Sequence, residues 1–431
     1  MPDDESKKVQ TRRLTVKRFS VIKDATFDFR GINAIIGPQA SGKSLLCKLA
    51  YFCLDIVSRA VDSASEELPY DAFKQETKDS FSHWFPASAW GDEKFEISYD
   101  DGPLSVSIVR TSRRGKLGDK IRLGLGQAFC SAYESALKDI SELRERTRSK
   151  KSKSEEVRPW EIRELASKRM GAIFEEGRSF YQIYIPAGRA LFTTYSKAIK
   201  AFQSGSLDPV TSRFGEMAEW LFNDRIYFPE KSSSLIKAFD EIQDRVLKGR
   251  LHYKRDIAQF DTEDGRTLSL AHLSSGTQEA LPLLRALRMT LPGPESQTVF
   301  AEEPEAHLFP SAQLEIVKLF CWLANAHQHK SCFVITTHSP YILTAFNEMI
   351  KAGQTAAQYP GKIAEVERVI PRRNWVSPDD FAAYAFDGKD GVLHQIMDTE
   401  TQLIDGDVLD SISSLIGSQF ERLLEIQYAE K

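Results

Sequence analysis

The sequence has 431 residues, of which 42% are apolar and 27% are charged, and its formal net charge at pH 7 is −4. These values are typical of a globular protein, and they exclude the global basic excess that indicates nucleic-acid binding. The polar N-terminus and the lack of any apolar run of about 18 residues predict neither a signal peptide nor a membrane span. Five scattered cysteines, none in a C-x-x-C pair, argue against disulfides and a zinc site. We therefore expect a cytoplasmic protein with no membrane partner.

The first predicted elements are strands, which lead into a glycine-rich turn. Apolar and polar residues alternate in 14–16 and 25–29, and the apolar run 34–36 then ends at a turn followed by a helical stretch, 44–56. Residues 95–110 alternate on both sides of Asp101-Gly102, which is a hairpin pattern. Residues 1–112 are interpreted as the N-terminal part of the main lobe.

Residues 113–178 differ in composition from the residues before them and are interpreted as a helical arm inserted into that lobe. The stretch is polar and favours helix, and its segment 147–156 contains no apolar residue. A solvated helix pair without a partner explains this composition as well as a binding role does. The basic tip at 146–153 is the only part that suggests contact with DNA.

Residues 179–431 are interpreted as the C-terminal part of the lobe. A residue pattern typical of a compact fold resumes at 181–189. A hairpin is predicted in 251–270, with its turn at 263–265. Residues 270–345 are predicted to alternate between helix and strand. Such alternation is typical of a parallel α/β sheet. The fold class is thus α/β, with an antiparallel N-terminal part, a parallel core and a short helical insertion.

A phosphate-binding loop is predicted at 37–44, where the sequence satisfies G-x-x-x-x-G-K-[ST] between a strand and a helix. Backbone amides at a helix N-terminus hold phosphates, a lysine reaches the β- and γ-phosphates, and a hydroxyl binds Mg²⁺. The expected ATP and Mg²⁺ site comprises Gly37, Gln39, Ala40, Ser41, Gly42, Lys43, Ser44 and Leu45, with Ser44 as a metal ligand.

Two acids follow the apolar strand 297–301. Glu302 is predicted to hold Mg²⁺, and Glu303 to orient and deprotonate the attacking water. Aspartate is usual at the first position, so the longer Glu302 side chain shifts the metal geometry.

An anion-binding helix N-terminus is predicted at 273–279. We call this segment the signature turn. The phosphate-binding loop 37–44 already occupies its own end of the sheet, so the signature turn would serve ATP bound to a second subunit. The residues expected to contact the γ-phosphate of that ATP are Ser274, Ser275, Gly276 and Thr277. Helix initiation alone also explains these residues, since Ser275 and Gln278 fit a capping box.

A histidine ends the next buried strand, 332–336. His338 is predicted to contact the γ-phosphate and sense its loss, and it completes the catalytic set with Glu302 and Glu303.

These motifs in this order resemble the ABC-type ATPases of the SMC and RecF group. They are most similar to the OLD-like "AAA family" ATPases of bacterial phage-defence systems. The motifs that carry the resemblance are GPQASGKS (37–44), PAGR (186–189), LSSGTQE (273–279), EEPEAHLFP (302–310) and TTHSPYIL (337–344).

The resemblance implies an ATP-dependent homodimer or higher oligomer. It places Glu305 and His307 in a loop linking the two sites, Arg189 near the nucleotide or the dimer interface, and Gln75 as a candidate metal-loop glutamine. The stretch after His338 is too short for the TOPRIM nuclease domain of OLD proteins. The leading hypothesis is therefore a defence sensor that controls a separate effector, such as a TOPRIM or HNH nuclease. The alternatives are a RecF-like DNA clamp and a transporter motor. The long sequence separation between the phosphate-binding loop 37–44 and the segment 273–279 argues against the transporter motor.

Overall fold

The structure, a computed structural model, describes residues 12–149, 157–174, 180–195, 207–222, 233–254, 257–291, 296–328, 330–405 and 418–422. Within these residues the strands are β1 Arg13–Phe19, β2 Ile22–Asp28, β3 Ile32–Ile36, β4 Glu96–Asp101, β5 Leu104–Arg113, β6 Lys116–Leu125, β7 Gln182–Ile185, β8 Gly249–Lys254, β9 Ile257–Thr262, β10 Thr267–Ser269, β11 Thr298–Glu302, β12 Cys332–Thr337, β13 Phe381–Phe386 and β14 Leu393–Gln395. The helices are α1 Lys43–Ser65, α2 Tyr70–Trp84, α3 Gln127–Ser149, α4 Pro159–Gly171, α5 Ala190–Tyr195, α6 Pro209–Leu221, α7 Ser233–Leu247, α8 Ser275–Met289, α9 Pro310–Ala326, α10 Pro340–Gln358 and α11 Ile363–Val369.

An antiparallel sheet of order β2-β1-β4-β5-β6 forms the N-terminal part of the lobe. Its inner face is apolar because alternate side chains of each strand point inward, as Leu14 and Val16 do in β1 and Ile97 and Tyr99 do in β4. The predicted hairpin is confirmed as β4 and β5, which pair up to Asp101↔Leu104.

The prediction of helix throughout 113–178 is wrong for its first part. Residues 116–125 form the edge strand β6, and helix begins only at Gln127. Ile121 and Leu123 are buried while Lys120 and Arg122 are exposed, so the apolar period is two rather than 3.6. Charged residues are common on such an edge because they discourage further strand pairing.

The helices α3 and α4 pack against α1 in the main core. They bury an apolar stripe that consists of Phe129, Tyr133, Ala136, Ile140, Ile162, Ala166 and Met170. The inserted segment is therefore part of the lobe along most of its described length. The second half of the predicted basic tip, 150–153, lies outside the described residues.

A second sheet of order β14-β13-β3-β12-β11-β7 forms the centre of the molecule. All its neighbouring strands are parallel except the pair β13 and β14. Both faces are covered, one by α1 and the antiparallel sheet and the other by α8, α9 and α10. That burial explains the continuous apolar runs of β3, β11 and β12.

The remaining elements agree with the predicted alternation of helix and strand. The turn at 263–265 joins β9 and β10, and the small sheet β10-β9-β8 has one strand more than predicted. Within the described residues, no helix has the length and apolarity that crossing a bilayer requires.

The α/β fold with an antiparallel part and a parallel core is confirmed. The order β3-β12-β11-β7 sets the carboxyl ends of four strands side by side. In open α/β sheets this edge is where ligands bind.

Candidate nucleotide-binding site

The predicted phosphate loop joins the end of β3 to the start of α1. Gly42 has a φ of 108°, in the left-handed region that favours glycine. Lys43 is 5% exposed, and its ammonium donates to the carbonyl oxygens of Gly37 and Pro38 at 2.7 Å each. The structure thus gathers Gly37 and the residues Gln39 to Leu45 into one turn at the N-terminus of a 23-residue helix.

Several unpaired polar groups of this loop match the chemistry of a polyphosphate. The Leu46 amide makes the first bond of α1, to the Gly42 oxygen, so the preceding amides have no intrahelical acceptor. The Ser41 hydroxyl is buried and has no hydrogen-bond partner in the described part of the chain. With the Lys43 cation, these donors fit an anion at a helix N-terminus.

Burial lowers the pKa of Lys43, and the carboxylates Glu303, Glu305 and Glu302 offset part of that decrease. This coupling places the two predicted acids within electrostatic reach of the loop. They lie two strands away, where β11 ends beside β12.

The two predicted acids at the end of β11 differ in exposure. Glu302 is buried, and its two oxygens accept from the Tyr184 hydroxyl at 2.6 Å and the Ala187 amide at 3.1 Å. Glu303 is 38% exposed and has a φ of 42°, a strained conformation of the kind found at functional sites. The Glu303 carboxylate is therefore accessible to a ligand. Glu302 could bind a ligand only with oxygens that already accept from Tyr184 and Ala187. Its role as a metal ligand stays a prediction.

His338 lies at the end of β12 beside Glu303, with 3.4 Å between Nε2 and Oε1. Glu305 fixes this strand end, because its Oε1 accepts from the His338 amide at 2.8 Å and the Thr337 hydroxyl at 2.6 Å. The other oxygen of Glu305 is buried without a partner among the described residues. The loop after the acids and His338 are thus directly connected.

The predicted signature residues form the N-terminus of α8. Ser274, not Ser275, is the N-cap: its oxygen accepts from the Thr277 amide at 3.3 Å and lies 2.8 Å from the Thr277 hydroxyl. The capping-box interpretation of Ser275 and Gln278 is therefore wrong, and Gln278 instead donates to the Leu270 and Ala271 carbonyls.

The signature turn is open to solvent on one side and packed on the other. Ser274 and Ser275 are exposed. A Cβ on Gly276 would lie 2.7 Å from the carbonyl oxygen of His307. Only glycine allows this approach, so the turn and the loop after the acids lie against each other within one subunit.

One predicted position differs from expectation. Gln75 lies on an exposed part of α2 and donates to Asp79 one turn later, which gives it no place in the site. Arg189 is fully buried, and its bonds to the Glu302 and Glu303 carbonyls place it beside the predicted acids, as the alternative near the nucleotide requires.

Sequence reasoning missed the partners of these groups. Tyr184 bonds Glu302 across 118 positions of sequence, and Glu279 pairs with Arg189 across 90. The only available signal was a charged residue, Arg189, four positions after the strand 182–185.

Comparison with known proteins places the chain in a family. A family model described as "AAA domain, putative AbiEii toxin, Type IV TA system" matches residues 32–344. No curated protein matches the sequence.

Several solved SMC heads have a similar chain path. An SmcHead bound to the C-terminal winged-helix domain of ScpA is 14% identical, with 91% of this chain and 98% of that chain covered and a TM-score of 0.40. The SMC head domain from Thermotoga maritima is 14% identical, with coverages of 78% and 92% and a TM-score of 0.33. The Smc head with an extended coiled coil bound to ScpA, derived from Pyrococcus furiosus, is 12% identical, with coverages of 90% and 95% and a TM-score of 0.39. Likeness at this level carries no argument about activity or partners.

Proposed function

We propose, from the premise that this chain belongs to the AAA-domain family whose description names a type IV toxin–antitoxin system, that it binds and hydrolyses ATP as an ABC-type ATPase. The observation that carries the proposal is one edge of the parallel sheet. There Lys43, Glu303 and His338 follow three neighbouring strands, β3, β11 and β12. Lys43 supplies a cation for the phosphates, Glu303 a carboxylate that can accept a proton from water, and His338 an imidazole beside that carboxylate.

Each residue of this edge has a distinct role in the proposed reaction. Lys43 and the amides at the start of α1 bind the β- and γ-phosphates and neutralise their charge. Ser44 and Glu302 would hold Mg²⁺, which would supply further stabilisation of the phosphate charge. Glu303 orients the attacking water and accepts its proton, and His338, 3.4 Å from Glu303, holds that carboxylate towards the γ-phosphate.

We further propose that two copies of the chain share each ATP. The start of α8 supports this, because Ser274 and Ser275 are exposed and present hydroxyls and amides at a helix N-terminus. The first turn of α8 contains no charged residue, so it complements phosphate charge only where a cation is already present.

Control of a separate effector, possibly a TOPRIM or HNH nuclease in phage defence, is the biological role that we propose. The OLD-like motifs and a family description that names a toxin–antitoxin system support it. Co-purification with the product of a neighbouring gene, with and without ATP, tests this role. Absence of any complex in both conditions would contradict it.

Phosphate release from ATP by the full chain tests the proposed activity. In Glu303→Gln we expect ATP affinity within about threefold of wild type and turnover lowered roughly a hundredfold, because the water loses its base. Glu96→Gln, at an exposed position of β4, is the matched control and should turn over normally. Wild-type turnover in Glu303→Gln would show that the base is assigned wrongly.

A second candidate function, DNA binding, is favoured by the hairpin of β5 and β6. Beyond Val109 this hairpin no longer pairs with β4 and continues as a two-stranded ribbon. Its exposed cations are Arg113, Arg114, Lys116, Lys120 and Arg122, and its one acid, Asp119, is paired with Arg110. A ribbon of this kind fits a groove of duplex DNA, and its cations suit phosphates.

A gel shift over a range of salt concentrations shows whether the cations of this hairpin bind DNA or are only solvated. Binding should weaken steeply with ionic strength, and replacing Arg113, Lys116 and Lys120 by alanine should reduce the salt slope by up to about three. No shift at low salt would remove this candidate and leave the ATPase proposal untouched.

A further inference from the structure

Arg189 is a fully buried cation at the carboxyl edge of the parallel sheet. It lies in the turn after β7, and its guanidinium is surrounded by backbone oxygens. Nε donates to the Glu279 carbonyl at 3.0 Å, and Nη1 donates to the Pro186 carbonyl at 3.0 Å. Such a charge is retained in a core only where its partners are held in fixed places.

The remaining bonds of Arg189 go to the chain around Glu303. Nη1 donates to the Glu302 carbonyl at 2.7 Å, and Nη2 donates to the Glu303 carbonyl at 3.0 Å. These two carbonyls belong to the peptide units on either side of Glu303. The planar fork therefore fixes both planes and with them the left-handed φ of 42° at this residue.

Arg189 also bonds to α8, the helix that carries the signature turn. Its amide donates to the Glu279 carboxylate at 3.1 Å, and its Nε lies 3.8 Å from the same oxygen. Glu279 follows Ser275 by one turn of α8. The neighbouring Thr193 adds a bond from α5 to the Gln278 carbonyl at 2.6 Å.

One side chain thus connects the start of α8 with the backbone of the proposed base. We propose that Arg189 is a positioning residue that couples the two, so that contact of one subunit's signature turn with its neighbour's ATP sets the orientation of the same subunit's Glu303. The inference rests on the proposed ATPase function. A displacement of α8 along its axis moves the Glu279 carbonyl and carboxylate, and the rigid guanidinium transmits that movement to the two peptide planes.

A coupling role and a purely structural role differ in what they change. A structural arginine stabilises the fold and leaves the turnover of folded protein unaltered. Arg12 is such a residue: it is half-buried, bonds Tyr99, and bonds Thr298 at the opposite, amino end of β11. Arg12→Lys is therefore the matched control for Arg189→Lys.

Steady-state hydrolysis and ATP binding of the full chain test the proposal. Arg189→Lys keeps the charge and loses the fork, so we expect kcat to fall roughly tenfold or more with ATP affinity within about twofold. Arg12→Lys should lower the melting temperature and keep kcat. Equal kcat for Arg189→Lys and wild type, or equal losses in both lysine variants, would overturn the coupling role.

A second variant keeps the test decisive if Arg189→Lys does not fold. Glu279→Gln retains the carbonyl that accepts from Nε and removes the carboxylate charge, and it should also lower kcat with unchanged ATP affinity. Normal turnover of folded Glu279→Gln would contradict the connection to α8. If wild type itself releases no phosphate, the proposed function fails, and this outcome is distinct from a failure of the coupling.

Discussion

Two helix N-termini of the protein differ in what they offer an anion. The start of α1 is buried and contains a cation, Lys43, whereas the start of α8 is exposed and contains only the neutral groups of Ser274 and its neighbours. Amides and hydroxyls alone bind phosphate weakly, while an added ammonium gives charge-assisted bonds. In the proposed function the first end therefore binds ATP by itself, and the second completes a site that a neighbouring subunit provides.

Removing the cation from the first end has the largest expected effect. Lys43→Ala should weaken ATP binding roughly a hundredfold or more, because it leaves the γ-phosphate without its charge partner. Titration of the variant with a fluorescent ATP analogue measures this. Lys48→Ala, one turn further along α1 and paired with Asp208, should bind normally. Equal affinities of the two variants would show that α1 is not the phosphate site.

A negative charge at the second end should abolish pairing and spare binding. Ser274→Asp preserves the N-cap, since aspartate caps as well as serine, but it repels the γ-phosphate of the neighbouring site. The melting temperature should stay unchanged, while ATP-dependent dimers disappear in light scattering. Ser274→Asn, a neutral cap, is the control and should dimerise. If the aspartate variant dimerises as well, this helix end does not face a nucleotide.

The pH dependence of ATP affinity sharpens the same contrast. Burial lowers the pKa of Lys43 from the ordinary value of 10.5. The ammonium is therefore lost at a lower pH than in the unfolded chain, and ATP affinity should fall as the pH rises towards 10.5. Over the same pH range the free energy of unfolding increases with pH, since the folded state binds this proton more weakly than the unfolded chain does. Titrations between neutral and alkaline pH check the trend, and Lys43→Arg, if it binds, should show a flat profile.

The smallest expected effect concerns the contact between the signature turn and the loop after the acids. Gly276→Ala should destabilise the fold by about 1–3 kcal/mol, because the added Cβ clashes with the His307 carbonyl. Denaturant unfolding measures this loss. A matched Gly361→Ala change, where the Cβ would meet nothing within 4 Å, should leave stability nearly unaltered. A similar stability of both variants would contradict the close approach.

Sequence reasoning succeeded where the signal was local. The loop around Lys43 and the acids after β11 were predictable because a strand, a turn and a helix start follow each other directly in the chain. Parallel strands then bring such strand ends to one edge without further information.

Reasoning from the sequence failed where distant segments decide the structure. The polar composition of strand β6 predicts helix because it hides a period of two, and the place of the strand at the sheet edge depends on pairing with β5. The bonds of Arg189 join positions 90 to 114 residues apart, so no spacing in the sequence encodes them.

The mass of Glu303→Gln with ATP and Mg²⁺ tests most directly whether two subunits share the nucleotide. We predict a dimer that forms only with ATP and that disappears when Ser274→Asp is added to the same chain, although each subunit still binds ATP. A mass that stays monomeric with saturating ATP, or a dimer that persists in the double variant, would contradict the shared site.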